Sequence, residues 1–279
     1  MPVRPASLAF VASAVFISAW VVPAAQSAPS RTPREIASPI TDHFAVRGIY
    51  YKPSLTTDGR FDSDAGTPGT LFSGEDDLGL NDEANQGRME LLLRMNERHR
   101  VRVDYLKLDR FGANTLTRQI NYRNSTYNIG DLVETDLNWR MLGVSYTWSA
   151  LRRERFEIGV GLGLHFVEAQ AKSEIRARNI SEDGSGVGVL PTLALDGTWR
   201  ISKRWAVTGH AQYLAVSSTD VDGSFADYHL DVQYRWRRNL AIGLGYSAIK
   251  LDADIDSNDL PGSLLLDASG PELFFRVSF

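Results

Sequence analysis

The sequence predicts an all-β protein: a closed, antiparallel, up-and-down β-barrel that crosses a membrane with its strands. Three observations predict it. Segments of strict apolar–polar alternation recur from about residue 43 to Phe279. The connections between them are by turns short and long, as in barrels with a short-turn end and a long-loop end. The longest predominantly apolar run, Leu8 to Val22, is about fifteen residues, too few to span a bilayer as a helix.

That run reads instead as a secretory signal. Arg4 precedes it and Pro23-Ala24-Ala25-Gln26-Ser27 follows, which gives a basic start, a short apolar core and a small-residue cleavage site. Cleavage after Ser27 puts Ala25 and Ser27 where small residues are wanted. The chain then divides into a signal peptide over 1–27, an N-terminal segment over 28–42 and a barrel over 43–279.

Ten strands are expected, near 43–53, 88–96, 99–109, 132–148, 155–172, 187–201, 204–218, 225–236, 239–253 and 264–279. In the second, Met89, Leu91, Leu93 and Met95 oppose Arg88, Glu90 and Arg94. The fifth sets Phe156, Ile158, Val160, Leu162, Leu164 and Phe166 against Glu157, three glycines and His165. Tyr228, Leu230, Val232, Tyr234 and Trp236 oppose Asp227, His229, Asp231, Gln233 and Arg235 in the eighth. No helix sustains period two over ten positions. An even count brings both ends to one side. Eight strands is the alternative, because 54–87 and 110–131 are long enough to hide strand extensions or an extra hairpin. Phase slips near Arg140, Val167 and Ala248 suggest bulges or barrel rims.

Composition fits a barrel. Hydrophobic residues make up 43% and charged residues 23% of the chain, an average that conceals a lipid-facing surface built from alternate residues. Six Trp, ten Tyr and twelve Phe supply interfacial belts. There are no cysteines, so disulfides and thiolate metal sites are out. The net charge of -4 gives no reason to expect nucleic acid.

With the apolar alternates outward, the inward face is charged. The expected lumen network is Arg47, Glu90, Arg94, Arg102, Asp104, Glu157, His165, Asp196, Arg200, His229, Asp231, Arg235, Glu272 and Arg276, with His210 beside them. Buried single charges are prohibitive, so these groups pair or meet water. A salt-bridged plug and a narrow aqueous path both remain open. Inward Gly159, Gly161, Gly163, Gly243 and Gly245 give either curvature with room for bulky neighbours or a local cavity.

The long loops are acidic, with Asp58, Asp62, Asp64, Glu75, Asp76, Asp77, Asp82 and Glu83 in one and Asp254, Asp256 and Asp259 in another. Such loops are either solvated or bind divalent cations, and Asp76-Asp77 between Gly74 and Gly79 lacks the spacing of a calcium loop. Asp227, His229 and Asp231 share a strand face and invite a metal or acid–base reading, but about 7 Å separates successive members, too far for one metal without help from a second strand, so they read as part of the polar lumen network. No G-x-S-x-G, P-loop or H-E-x-x-H occurs. The expectation is that the chain is not an enzyme and carries no cofactor, metal or catalytic residue.

The last nine residues carry a resemblance. Leu273, Phe275, Val277 and Phe279 form one face, Glu272, Arg276 and Ser278 the other. An alternating final strand ending on phenylalanine resembles the closing strand of Gram-negative outer-membrane β-barrels, in which it serves as the signal to the assembly machinery. The stretch Asp76-Asp77-Leu78-Gly79-Leu80 and the Met89–Tyr105 hairpin are similar to OmpW-like small barrels. The resemblance implies export through the inner membrane to the outer membrane, residues 28–42 in the periplasm and Phe279 as the assembly signal. Its implied partners are outer-membrane lipid and lipopolysaccharide, the barrel assembly machinery and a small-molecule permeant, the barrel itself being a monomer. The function expected first is a passive conduit or binding barrel for small molecules. The alternative is a closed structural or surface-interaction barrel acting through its acidic loops, with a lipid-modifying enzyme behind both.

Overall fold

The structure is a computed structural model, described here for residues 39–63, 66–218, 221–255 and 261–279. The signal peptide, most of the 28–42 segment and Asp64, Asp256 and Asp259 lie outside the described residues. In chain order the strands are β1 (Phe44–Tyr51), β2 (Ser54–Phe61), β3 (Phe72–Ser73), β4 (Gln86–Arg94), β5 (His99–Thr115), β6 (Ile120–Tyr122) and β7 (Ser125–Tyr127). There follow β8 (Leu132–Arg152), β9 (Phe156–Ile175), β10 (Ile180–Arg200), β11 (Trp205–Ser217), β12 (Val221–Arg235), β13 (Leu240–Ile255) and β14 (Gly262–Ser278).

Ten positions close the barrel in the order β1-β4-β5-β8-β9-β10-β11-β12-β13-β14, and β14 pairs back onto β1. All neighbours are antiparallel. The first position is filled by two segments in line: β14 pairs with β1 along Glu272–Ser278 and with β2 along Gly262–Ser269. The break falls at Lys52-Pro53, where proline has no N–H for the ladder. The first strand thus runs on past residue 53 to Phe61, and the 54–87 stretch holds that extension and β3. Residues 116–131 hold the β6–β7 hairpin. The expected 173–186 loop is mostly strand, closed by a short turn at Arg176–Arg178.

Strand β8 and strand β10 each have 21 residues, about 70 Å of chain and, at a tilt of about 40°, twice the height of an apolar band about 25 Å tall. The outward residues show where that band lies. Trp148, Trp199, Trp205 and Trp236 are exposed near the short turns, while Tyr50, Tyr105, Tyr213, Tyr228 and Tyr246 are exposed at the opposite edge. Beyond the tyrosines the pattern inverts without a change of register. On β5, Arg102 and Asp104 face inward below Leu106 and Leu108, and outward Tyr105 gives way to Lys107 and Asp109. Strand β8 exchanges outward Leu142 for Arg140 while Met141 and Trp139 turn in. On β9, Phe166 is followed by Glu168, with Val167 buried.

The phase slips at Arg140, Val167 and Ala248 are therefore changes of medium and not bulges: the ladders run through them unbroken. The one irregularity on β8 lies lower, between Ser149 and Leu151. Inside the upper half, Tyr51, Leu55, Leu106, Leu108, Trp139, Met141, Phe225, Ile249 and Leu266 make an apolar core. A strand surrounded by water must bury its apolar row inward, as any soluble sheet does; one surrounded by lipid can turn it out.

Candidate functional site

The interior below that core is a stack of ion pairs built by period two. Nearest the short turns, Arg235 and Arg276 converge on Asp42, at 2.6 and 3.1 Å. Residues just before β1 thus turn into the mouth of the barrel. Above them Arg94 donates to both oxygens of Glu157, at 2.9 and 2.8 Å, and Ser149 donates to the same carboxylate. In the middle Arg47 lies 2.9 Å from Asp231, 3.5 Å from Glu272 and 3.6 Å from Glu90, its guanidinium 3.9 Å over the Phe274 ring. Arg102 bridges Glu90 at 2.7 Å and Asp196 at 2.8 Å. Asp196 also accepts from Thr147 at 2.7 Å and meets His210 Nδ1 at 2.8 Å. At the top Arg88 reaches Asp227 at 2.7 Å, Asp104 at 3.2 Å and the Ser247 hydroxyl at 3.2 Å.

Thirteen of the fourteen residues assigned to the lumen from sequence are buried in this stack. Arg200 is the exception: it sits at the short-turn rim, 2.8 Å from Glu154, where the strand has run out of barrel. Arg88 stands on the polar face read for the second strand, with Glu90 and Arg94, but outside the lumen set; period two alone places it in the lumen. Asp42 precedes the first strand and Arg110 lies one residue beyond the expected end of the third, so neither had a signal.

Asp227, His229 and Asp231 do not form one centre. Asp227 belongs to Arg88, Asp231 to Arg47 and Thr208, and His229 packs by the His210 ring at 5.3 Å with Glu90 at 3.9 Å. Asp104, His165 and Asp227 do bring one ligand atom each within 4.8 Å of one another. Arg88 already lies against both carboxylates and supplies the positive charge a metal would supply.

The outer mouth is closed over the apolar core. Arg110 donates to Thr57 Oγ1 at 2.6 Å and to Glu75 and the Asn81 carbonyl, both at 2.5 Å, tying down the loop after β3. Phe72, Leu78, Leu80, Leu116, Ile120, Tyr122, Tyr127, Val133 and Ile175 form a second apolar cluster there, made by that loop, the β6–β7 hairpin and the wall. Gly79 has φ +69°, and Gly112 lies so close that a Cβ on it would fall 2.6 Å from the Gly79 carbonyl carbon. Gly112→Val is therefore expected to lift this cap while leaving the ten-stranded wall intact. Limited proteolysis should then cut within 66–82; a cap as resistant as in the wild type would refute the contact.

The loop acids serve the cap. Glu75 is spent on Arg110 and the Thr57 amide, and Asp77 on Arg118 at 2.5 Å and the Ser73 amide at 2.9 Å. The Arg118 hydrogen bond outweighs burial and holds the Asp77 carboxyl below the usual carboxylate range. A depressed carboxyl stabilises the folded state above its unfolded pKa of about 4, and that contribution is lost as pH falls through the lower folded value. Cap proteolysis is expected to be flat from pH 8 to 5 and to rise below pH 4. Asp77→Asn should make that rise smaller; an unchanged profile would remove Asp77 as a titrating group.

At the short-turn end a cavity of about 30 Å3, lined in part by Arg47, Arg94, Arg100, Arg102, Asp196 and Arg276, has room for little more than a water or two.

No family model matches the sequence, and no curated protein matches it. Solved structures do. The outer-membrane protease OmpT of Escherichia coli aligns with a TM-score of 0.53 at 8% identity, over 84% of this chain and 97% of that one. Ail, the attachment invasion locus protein of Yersinia pestis, gives a TM-score of 0.36 at 12% identity, over 84% and 99%. The toluene transporter TodX of P. putida gives 0.34 at 7% identity, over 88% and 93%. The expectation that the chain is not an enzyme is corrected by the first of these: a protease is built on this fold, so the fold does not exclude catalysis and enzyme status is open. At such identities the likeness is one of architecture, and the chain has the closed-barrel fold of Gram-negative outer-membrane proteins.

Proposed function

We propose that this chain is an outer-membrane barrel closed to solutes, which acts at the cell surface through the half that stands above the lipid. The filled interior carries this reading: ion pairs fill the lower lumen, an apolar core fills the upper, and a cap covers the mouth. The apolar outer band between tryptophan and tyrosine belts supports a place among outer-membrane lipids. The conduit, expected first from sequence, needs a continuous wet path that this packing does not leave among the described residues. The small-molecule passage implied by an OmpW-like resemblance loses its support for the same reason.

Single-channel recording on the refolded full-length chain in a planar bilayer tests the reading. A silent membrane containing folded barrel is expected, and it should stay silent for Arg94→Ala. Steady, reproducible openings of the wild type would overturn the proposal and restore the conduit.

A further inference from the structure

The ladder between β10 and β11 is incomplete. It joins Leu193–Arg200 to Ala206–Tyr213 and stops. Strand β10 continues to Ile180 paired with β9 alone, and β11 continues to Ser217 paired with β12 alone. In an antiparallel ladder the N–H and C=O of successive residues point to opposite neighbours. The Arg200 N–H donates to the Arg155 carbonyl on the β9 side, so even residues of β10 face β9 and odd residues face β11. Ser181, Asp183, Ser185, Val187 and Val189 thus aim their amides and carbonyls into a slot with no strand opposite them among the described residues. Pro191 stands where the slot begins and has no N–H to leave unpaired, the place where a sheet edge tolerates proline.

The slot straddles the outer edge of the apolar band. Val189 is registered with Phe166 and Val187 with Glu168, and the two valines are 53% and 80% exposed. An unpaired sheet edge is costly at such a boundary and is a ready template for another strand. On the inner side, a Cβ at Gly186 or Gly188 would meet nothing within 4 Å, which leaves space for the side chains of an added strand. Behind β11, Asp222 of β12 accepts from the Ser217 hydroxyl and is registered opposite Asp254 of β13, with Asp252 on that same strand, and no lysine or arginine is registered across from any of the three. Like charges placed opposite each other favour a cation between them.

We infer that this slot is a strand-addition site, taking an extended, basic segment of a partner protein outside the cell. Main-chain donors and acceptors repeating every second residue, about 6.8 Å apart, are the complement of a polypeptide and of no lipid or solute. The acids on the strands behind β11 lie within a long side chain's reach and favour lysine or arginine; the valines select alternate apolar residues. The inference rests on the surface-acting reading above and names its partner class.

The test is amide hydrogen exchange on the full-length chain refolded in micelles, probed with an octapeptide of alternating lysine and valine. In the free protein the amides of Asp183, Ser185, Val187 and Val189 should exchange at least 100-fold faster than those of Gly184, Gly186 and Gly188. The peptide should protect the odd set, and its alternately N-methylated form should not. Val187→Pro removes one unused donor, so it should fold as the wild type and lose peptide binding at least tenfold; Asp254→Lys should weaken the same peptide and admit a glutamate–valine one. Odd amides already as slow as the even ones, or no protection by peptide, would overturn the inference. So would protection that depends on the concentration of the chain alone, which would mean a second copy. A silent bilayer with an unbound peptide sinks this inference only, whereas a conducting bilayer sinks the reading beneath it.

Discussion

Arg88→Ala is expected to destabilise the barrel by about 3–5 kcal/mol, the cost of breaking a buried pair by removing one partner. Arg88 is fully buried and lies against Asp227, Asp104 and Ser247, so alanine would strand two carboxylates in the interior. Urea titration of the refolded barrel, followed by tryptophan fluorescence, reads the loss. Adding Asp227→Asn to Arg88→Ala should recover part of it, because one stranded charge is gone. Arg118→Ala provides the contrast, since its partner pair is half exposed and such pairs contribute about 0–1 kcal/mol. Equal effects at Arg88 and Arg118 would mean that water reaches the interior stack.

The second large effect is expected at Phe225. Its ring is buried in the upper core, with its centroid 4.7 Å from that of His165, and truncation to alanine should cost about 3–5 kcal/mol. Phe111 lies on the same upper storey but faces out and is half exposed, so Phe111→Ala should stay within about 0.5 kcal/mol. The pair separates an inward core from an outward apolar row at the same height. Similar losses at both would place lipid around the upper storey and reverse the assignment of its medium.

Much of this was legible because period two is hard to disguise where lipid lies outside and ion pairs lie inside. Glu90, Asp231 and Arg276 follow from their apolar neighbours alone. Above the tyrosine belt the same alternation continues with its sign reversed, and a pattern read for apolar-out strands registers that as a slip. The extension Ser54–Phe61, left open within 54–87, could not be placed for this reason, its inward row being Leu55, Thr57 and Gly59. Arg200 was misassigned because alternation gives a direction and says nothing of height along the barrel. The enzyme expectation failed differently: absent motifs exclude only the chemistries that have motifs. The broken seam had one signal, Pro191 within an otherwise regular strand, which marks an edge and was passed over.

The inversion along the strands also divides the thermodynamics of the molecule. The upper core gathers apolar side chains out of water, so its stability should carry a large heat capacity of unfolding and weaken on cooling. The lower storey exchanges apolar surface with lipid and holds its interior by charge, so temperature should touch it less. A single set of strands therefore joins two solvation regimes end to end, and cold should loosen the outer half of the barrel first.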